Sequence, residues 1–421
     1  MSSTVIIGAG VIGLSTAYYL SDHQPPSTIH LVESSPELFS SASGYAGGFL
    51  AKDWFSSRSL SLGTLSFELH KRLASENQGR ERWRYSATTS ISYSPSRVKN
   101  AGQRRGDDWL RHGTSRAQAA PEEVPVGGEL AEHVPPWLRR AQGDHIELIG
   151  AEGTTAQLDP LLLCQFLLQK CLERGVRLHH SAEVTTVSTD LRGELASVRI
   201  VDAAASVETD LPCTRVIIAT GAWSARVFRA LFRHSHLDIP VASLAGHSVV
   251  VRSPRWNGTD TDRCHAVYTT HGAGFSPEAY ARVGGEIYLA GLNSTAIPLP
   301  ERPGKAAVLE DAMARLRETS RMLLGLSGED DKDVDDLEVV RQGLCFRPVT
   351  PQGTPIISRV ADAHLGIGMA TRPGADGGVF IATGHGPWGI SMCLGSGMVL
   401  AELAQGRPLS ADISGLGLEV Q

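Results

Sequence analysis

The sequence predicts an α/β domain with a parallel sheet, interrupted by a second domain built on an antiparallel sheet, α+β over the chain as a whole. Three observations carry this. The chain opens on an apolar strand, a glycine turn, a helix and a second strand. Apolar segments of the kind buried on both faces return at Arg215 to Ala219 and at Val379 to Thr383, which is the pattern of a parallel sheet. Between residues 239 and 295 the pattern changes to antiparallel-type strands, at Ala245 to Val251, Ala266 to Thr269 and Glu286 to Gly291.

The opening is the most specific feature. Val5-Ile6-Ile7 is the strand, Leu14 to Leu20 the helix and Ile29 to Glu33 the second strand. Gly8, Gly10 and Gly13 stand at G-x-G-x-x-G spacing, and Glu33 follows Gly13 by 20 residues. Gly8 makes the tight turn, Gly10 lets backbone approach a pyrophosphate, and Gly13 lets the helix pack on the strand. Phosphates then face the helix start at Val11 and Ile12, where free N–H groups coincide with the positive end of the helix dipole. Glu33, followed by Ser34, can accept bonds from both ribose hydroxyls and would repel a 2′-phosphate, which disfavours NADP. Strand, turn, helix and acid together predict a Rossmann-like dinucleotide site.

At 421 residues the chain is long for one core, so two domains are expected. The 44 glycines exceed the usual share of about 7%, as suits tight turns against a ligand. A net charge of −6 without a long basic block argues against nucleic acid. The six cysteines (Cys164, Cys171, Cys213, Cys264, Cys345 and Cys393) show no metal-ligand spacing. They predict no metal site and a reducing compartment. A first strand at residue 4 or 5 leaves no room for a signal peptide, and no apolar run reaches the ~18 residues that span a bilayer. The expectation is a cytoplasmic monomer or weak dimer.

After Glu33 comes a loop rich in serine and glycine, with Ser43, Gly44, Ala46, Gly47 and Gly48. It offers hydroxyls and bare backbone N–H groups to phosphate and carbonyl oxygens. Residues 61 to 75 have helical spacing and 83 to 93 alternate like a strand. Ser94 to Gly143 shows little periodicity and reads as a surface insertion, partly flexible. Asp159 and Pro160 are an N-cap and first position for a following helix. Strands are expected at Val176 to Leu178 and Ala182 to Val187, with helices at 305 to 324 and from Gly389 to Leu403. The nucleotide-binding pattern thus covers 1–60, 145–235 and 340–421, and the substrate domain covers 61–144 and 236–339.

Taken together, these pieces resemble the FAD-dependent amine and amino-acid oxidoreductases, the family of D-amino-acid oxidase, glycine oxidase and sarcosine oxidase. The matching stretches run in order through nearly the whole chain. They are the Gly8/Gly10/Gly13 turn with Glu33, the Ser43 to Gly48 loop, the start at Asp159-Pro160, Ala219 to Ser224, Phe346 to Gly353, and Ala382 to Gly386. The wording of several is similar to fungal members. The resemblance implies FAD in an extended pose, with Glu33 on the ribose and the Val184 backbone at the adenine. Ser43 to Gly48 would pass the pyrophosphate and flavin. Thr220, Gly221 and Trp223, with Gly384, His385, Gly386, Pro387, Trp388 and Gly389, would close over the ring. The positive end of the helix after Gly389 would favour the anionic reduced flavin.

The resemblance also suggests roles. Arg347 would clamp a substrate carboxylate through a bidentate pair. Cys345 stands near the cysteine that carries flavin covalently in sarcosine-oxidase relatives; non-covalent FAD is the expectation and a Cys345 thioether the alternative. Tyr288 falls about where those oxidases place a lysine that assists oxygen, so oxygen, the expected acceptor, would not be used fast. Tyr288 would shape the pocket or bond substrate. His247 could face the flavin. Lys52 and Asp53 could reach the ring, and Trp54 and Trp388 could wall the pocket. The expected reaction is hydride transfer to flavin N5 from the α-carbon of an amino acid or secondary amine. Alternatives are a dehydrogenase or tailoring oxidase of a bulkier metabolite, and a flavin-bound interaction or trafficking protein.

Overall fold

The computed structural model describes residues 3–96, 116–121, 130–202, 206–254, 256, 263–270, 275–324 and 336–418. A six-stranded sheet lies at its centre, ordered Ile356–Val360, Gly378–Thr383, Arg215–Ile218, Thr4–Ile7, Ile29–Glu33 and Arg177–His180. All its pairings are parallel except that of Ile356–Val360 with Gly378–Thr383. The inner strands are buried on both faces, as their continuous apolar sequence requires. Helices Val11–Leu20 and Gly389–Ala404 pack together on one side with Ile6, Leu31, Ile217 and Phe380 of the sheet. A three-stranded antiparallel sheet, Ala182–Thr189, Leu195–Asp202 and Glu208–Pro212, adds Val184, Val198 and Ile200 to the cluster on the other side.

The second sheet has nine strands. Its main path runs Glu338–Val349, Ala242–Arg252, Glu286–Ser294, Glu278–Arg282, Cys264–Thr269, Ser86–Ser94, Thr155–Gln157 and Phe49–Ala51, and His145–Gly150 pairs with Ser86–Ser94. It is antiparallel apart from one parallel pairing, Cys264–Thr269 with Ser86–Ser94. By pairing, Phe49–Ala51, His145–Gly150, Thr155–Gln157 and Glu338–Val349 belong to this sheet, although the sequence division places them in the nucleotide-binding unit. The chain crosses between the sheets through long strands, and apolar runs alone do not mark the crossing.

The insertion expected on the surface is also corrected in part. Of residues 94–143, 97–115 and 122–129 lie outside the described residues, but parts of the remainder enter the core. Trp137 and Leu138 are buried with Trp256 and Leu316 under the outer face of the nine-stranded sheet, and Ala117 and Ala120 join the main core. The buried apolar surface outweighs the lack of periodicity.

One buried cluster ties the two sheets. Asp159 caps helix Pro160–Arg174, its Oδ1 accepting from Leu161 N at 2.9 Å and Leu162 N at 3.3 Å. Its Oδ2 accepts from Nη1 of Arg282 at 3.3 Å. Arg282 is 1% exposed, and its Nη2 donates to the carbonyls of Ala46 at 3.1 Å and Gly47 at 3.2 Å. Removing one partner of a buried ion pair strands the other charge. Asp159→Ala is therefore expected to lower unfolding free energy by about 3–5 kcal/mol, helix cap included. A urea midpoint shifted by less than the equivalent of about 1 kcal/mol would show that the tie is dispensable.

Candidate active site

A groove of ≈ 320 Å³ runs along the carboxyl ends of the six-stranded sheet, where ligands of open α/β sheets lie. It is lined by Gly8, Gly10, Val11, Ile12, Glu33, Ser34, Ser43, Val184, Thr220, Gly221, Trp223 and His385. Gly8 has φ +100°, and a Cβ there would meet Ala219 O at 2.6 Å. Gly13 sits behind the groove, with room for a Cβ closed by Gly8 O at 2.0 Å. The helix Val11–Leu20 begins without a side-chain cap, and Val11 N donates to Ser43 Oγ at 2.9 Å. The Glu33 carboxylate accepts from Ala9 N at 3.0 Å and Ser35 N at 2.9 Å. Helix-start N–H groups, serine hydroxyls and an acid at the end of the second strand fit the adenylate and pyrophosphate of FAD.

A strap from the second domain crosses this groove. Pro300 O accepts from Trp223 Nε1 at 2.9 Å and Arg226 Nη1 at 3.1 Å. Pro303 O accepts from Ser35 Oγ at 3.3 Å, and Arg302 pairs with Glu183 at 2.5 Å. Glu301, Arg302 and Pro303 line the groove.

Beyond the groove the loop Ala46 to Gly48 lies against the inner face of the nine-stranded sheet. A Cβ on Gly47 would strike Tyr280 at 2.6 Å and Tyr288 at 2.9 Å, so only glycine lets the loop approach this wall. Gly47 O also accepts from Gln157 Nε2 at 2.6 Å. Gly48 packs on Leu158 O, and Gly44 packs on Phe39 O. Tyr280 and Tyr288 stack with centroids 5.8 Å apart and planes 2° apart. Tyr268, Phe49, Trp54 and Trp388 extend this aromatic surface. On the far side Gly386–Trp388 leads into helix Gly389–Ala404, which starts without a side-chain cap or an acidic first turn. Gly384 takes φ +79° at the end of its strand. His385 is buried and donates to or accepts from Ser396 Oγ at 2.9 Å; burial pushes its pKa down to about 4, so it is neutral.

Arg347 projects on the same inner face. Its Nη1 donates to Asn293 Oδ1 at 2.5 Å, and it lies against Gly246, where a Cβ would have no room. Its charge acts on the Tyr288 hydroxyl, whose pKa burial pushes up. Cys345, two residues earlier on the strand and 3% exposed, carries a free thiol.

Two expected contributors stand elsewhere. Lys52 Nζ is held by Glu68 at 2.7 Å in a pair with side chains 36% and 50% exposed, where an ammonium keeps its hydration. His247 is 3% exposed on the outer face, and its Nε2 accepts from Leu309 N at 3.2 Å, ahead of helix Glu310–Leu323. It serves that helix start, and the strand's alternation turns it away from the wall. Asp53 is half-buried, and burial raises its pKa.

The sequence reading missed a charged cluster on this wall. Arg116 is 8% exposed. Its Nε donates to Glu278 Oε1 at 2.8 Å and its Nη2 to Oε2 at 2.5 Å. It also bonds the Tyr280 hydroxyl and Pro387 O, and lies over the ring of Trp388 at 5.4 Å. Burial pushes the Glu278 carboxyl up, but the Arg116 guanidinium and its bonds outweigh this and hold it below the ordinary value. A signal existed for Glu278: Glu278-Ala279-Tyr280-Ala281-Arg282 alternates with period two. None existed for Arg116, which stands in an aperiodic stretch.

The fold and groove define a dinucleotide-binding oxidoreductase with a separate substrate sheet. The profile of the family described as FAD dependent oxidoreductase (DAO) matches residues 3–403, and the chain belongs to that family. FAD is its cofactor. A Schizosaccharomyces pombe protein, named an oxidoreductase by inference, is 25% identical over 435 residues, covering 97% of this chain and 96% of that protein. Among solved structures, glycine oxidase from Geobacillus kaustophilus shares the fold with TM-score 0.71 and 20% identity, over 100% of this chain and 99% of that one. Iminodiacetate oxidase from Chelativorans sp. superposes with TM-score 0.68 and 18% identity, over 98% of each chain. Among the described residues, no helix is long and apolar enough to cross a membrane.

Glu33→Ala is expected to weaken FAD binding about 10- to 100-fold, the worth of a charge-assisted hydrogen bond. Fluorescence titration of the deflavinated protein measures this; an unchanged dissociation constant would remove Glu33 from the cofactor site.

Proposed function

We propose that this FAD-dependent oxidoreductase oxidises the C–N bond of an amino acid or secondary amine carrying a free carboxylate. The observation that supports this reading is the Arg347 guanidinium. It is placed on the inner wall beside Tyr288, and its partner there is the neutral amide oxygen of Asn293. A half-buried cation with a neutral partner gains strongly from an incoming carboxylate, which it can hold with paired N–H donors.

FAD, when bound, supplies the two-electron acceptor for hydride from the substrate α-carbon. The protein's own part is orientation. Arg347 fixes the carboxylate, the aromatic wall of Tyr268, Tyr280, Tyr288 and Trp388 excludes water, and the start of helix Gly389–Ala404 presents free N–H groups to developing negative charge. No general base is needed, because a neutral amine releases hydride from its lone-pair-bearing nitrogen. The glycine oxidase and iminodiacetate oxidase likenesses suit small, carboxylate-bearing substrates. FAD is held without a covalent bond in this reading, with oxygen as acceptor.

Arg347→Leu is expected to cost a carboxylate substrate about 2–5 kcal/mol of affinity. Kinetics unchanged by that substitution would favour a bulkier metabolite without a carboxylate. The active amine is deprotonated, so kcat/KM should rise from about pH 6 toward pH 10 as the α-amino group loses its proton. A flat profile over that range would exclude amine oxidation.

A further inference from the structure

Stability alone does not explain a buried ion pair at Arg116 and Glu278, because apolar residues of similar volume are often as stabilising. The pair nevertheless sits on the wall that faces the Gly47 loop and the Pro387 turn, where substrate must lie if the reading above holds. Strand Glu278–Arg282 turns Ala279 and Ala281 to the outer core and Glu278, Tyr280 and Arg282 inward.

The arrangement fixes a hydrogen-bond acceptor. Glu278 Oε2 accepts from Arg116 Nη2 and from the Tyr280 hydroxyl at 2.8 Å, while Oε1 accepts from Arg116 Nε. A carboxylate offers about four lone-pair sites, which leaves Oε1 able to take one more donor. The fully buried Tyr268 hydroxyl stands in the same cluster without a well-directed hydrogen bond. Glu278 also feels Arg347. Arg116 pairs with Glu278, and Arg347 bonds a neutral amide, so a ligand carboxylate would meet a guanidinium there.

Both groups meet the same strand. Glu278 pairs with Ala290, and Arg347 bonds Asn293 beyond the bulge that sets Ala290 and Asn293 opposite Ser248 and Gly246. Two residues of the partner strand separate these positions, about 7 Å along the sheet.

We propose that Glu278, fixed by Arg116 and Tyr280, accepts the amine N–H of the substrate while Arg347 holds its carboxylate. The ligand class is an α-amino acid gripped at both ends. This rests on the carboxylate reading above and adds the nitrogen subsite. Because Arg116 balances the Glu278 charge, the subsite accepts N–H without demanding a protonated amine.

Two unreactive ring acids of nearly equal shape test this. Pyrrole-2-carboxylate has an N–H beside its carboxylate, and 2-furoate has an oxygen there. Binding to the FAD-loaded enzyme is read from the visible absorption band. Wild type should hold the pyrrole at least about tenfold tighter, the worth of a hydrogen bond to a charged group. The paired substitution Arg116→Met with Glu278→Met removes both charges of the pair and should bring the ratio near one. Glu278→Gln, nearly isosteric, should cut the preference to under about threefold. Arg347→Leu should weaken both acids alike. Equal wild-type affinities, or a preference that survives in the Glu278 variants, would overturn the nitrogen subsite and leave the carboxylate clamp standing. Failure of both acids to bind wild type would instead overturn the clamp, and the subsite with it.

Discussion

A buried guanidinium ties the two halves of this molecule together. Arg282 comes from the nine-stranded sheet, yet its bonds reach Asp159 at the head of a helix packed on the nucleotide-binding domain and the carbonyls of Ala46 and Gly47. An arginine buried to 1% exposure is tolerable only with such partners. The planar fork lets one group satisfy a carboxylate and two carbonyls at once, which a lysine could not do. The position of the glycine loop against Tyr280 and Tyr288 follows from this contact.

The wall itself is an unusual mixture. Stacked tyrosines and two tryptophans make it dry, yet it bears Arg116, Glu278 and Arg347. In a low-dielectric setting each charge interacts strongly with whatever enters, and each must be compensated. Glu278 and Arg116 compensate one another. Arg347 bonds a neutral amide, and that asymmetry gives the wall its chemical direction.

Much of the nucleotide site could be read from the sequence because it is local. The residues from Val5 to Gly13 build their own turn and helix start, and Glu33 ends the adjacent strand. The cap at Asp159 and Pro160 was legible for the same reason. The substrate wall is assembled from strands far apart in the chain, so single residues there had to be judged without knowing which face they occupy. His247 and Ser248 are neighbours in sequence and lie on opposite faces; the bulge between Gly246 and Ser248 obscures the alternation further. Lys52 follows the flavin loop directly, but Glu68 of helix Leu60–Glu76 takes its charge outward. Arg116 offered no periodic cue at all. Its place is determined by Glu278, 162 residues later.

The strap of Glu301, Arg302 and Pro303 has a consequence for how the holoprotein is retained. It is chain from the substrate half, and it lines a groove built mostly by the other half. A dinucleotide in that groove would touch both halves, so its binding would add to the free energy that holds them together.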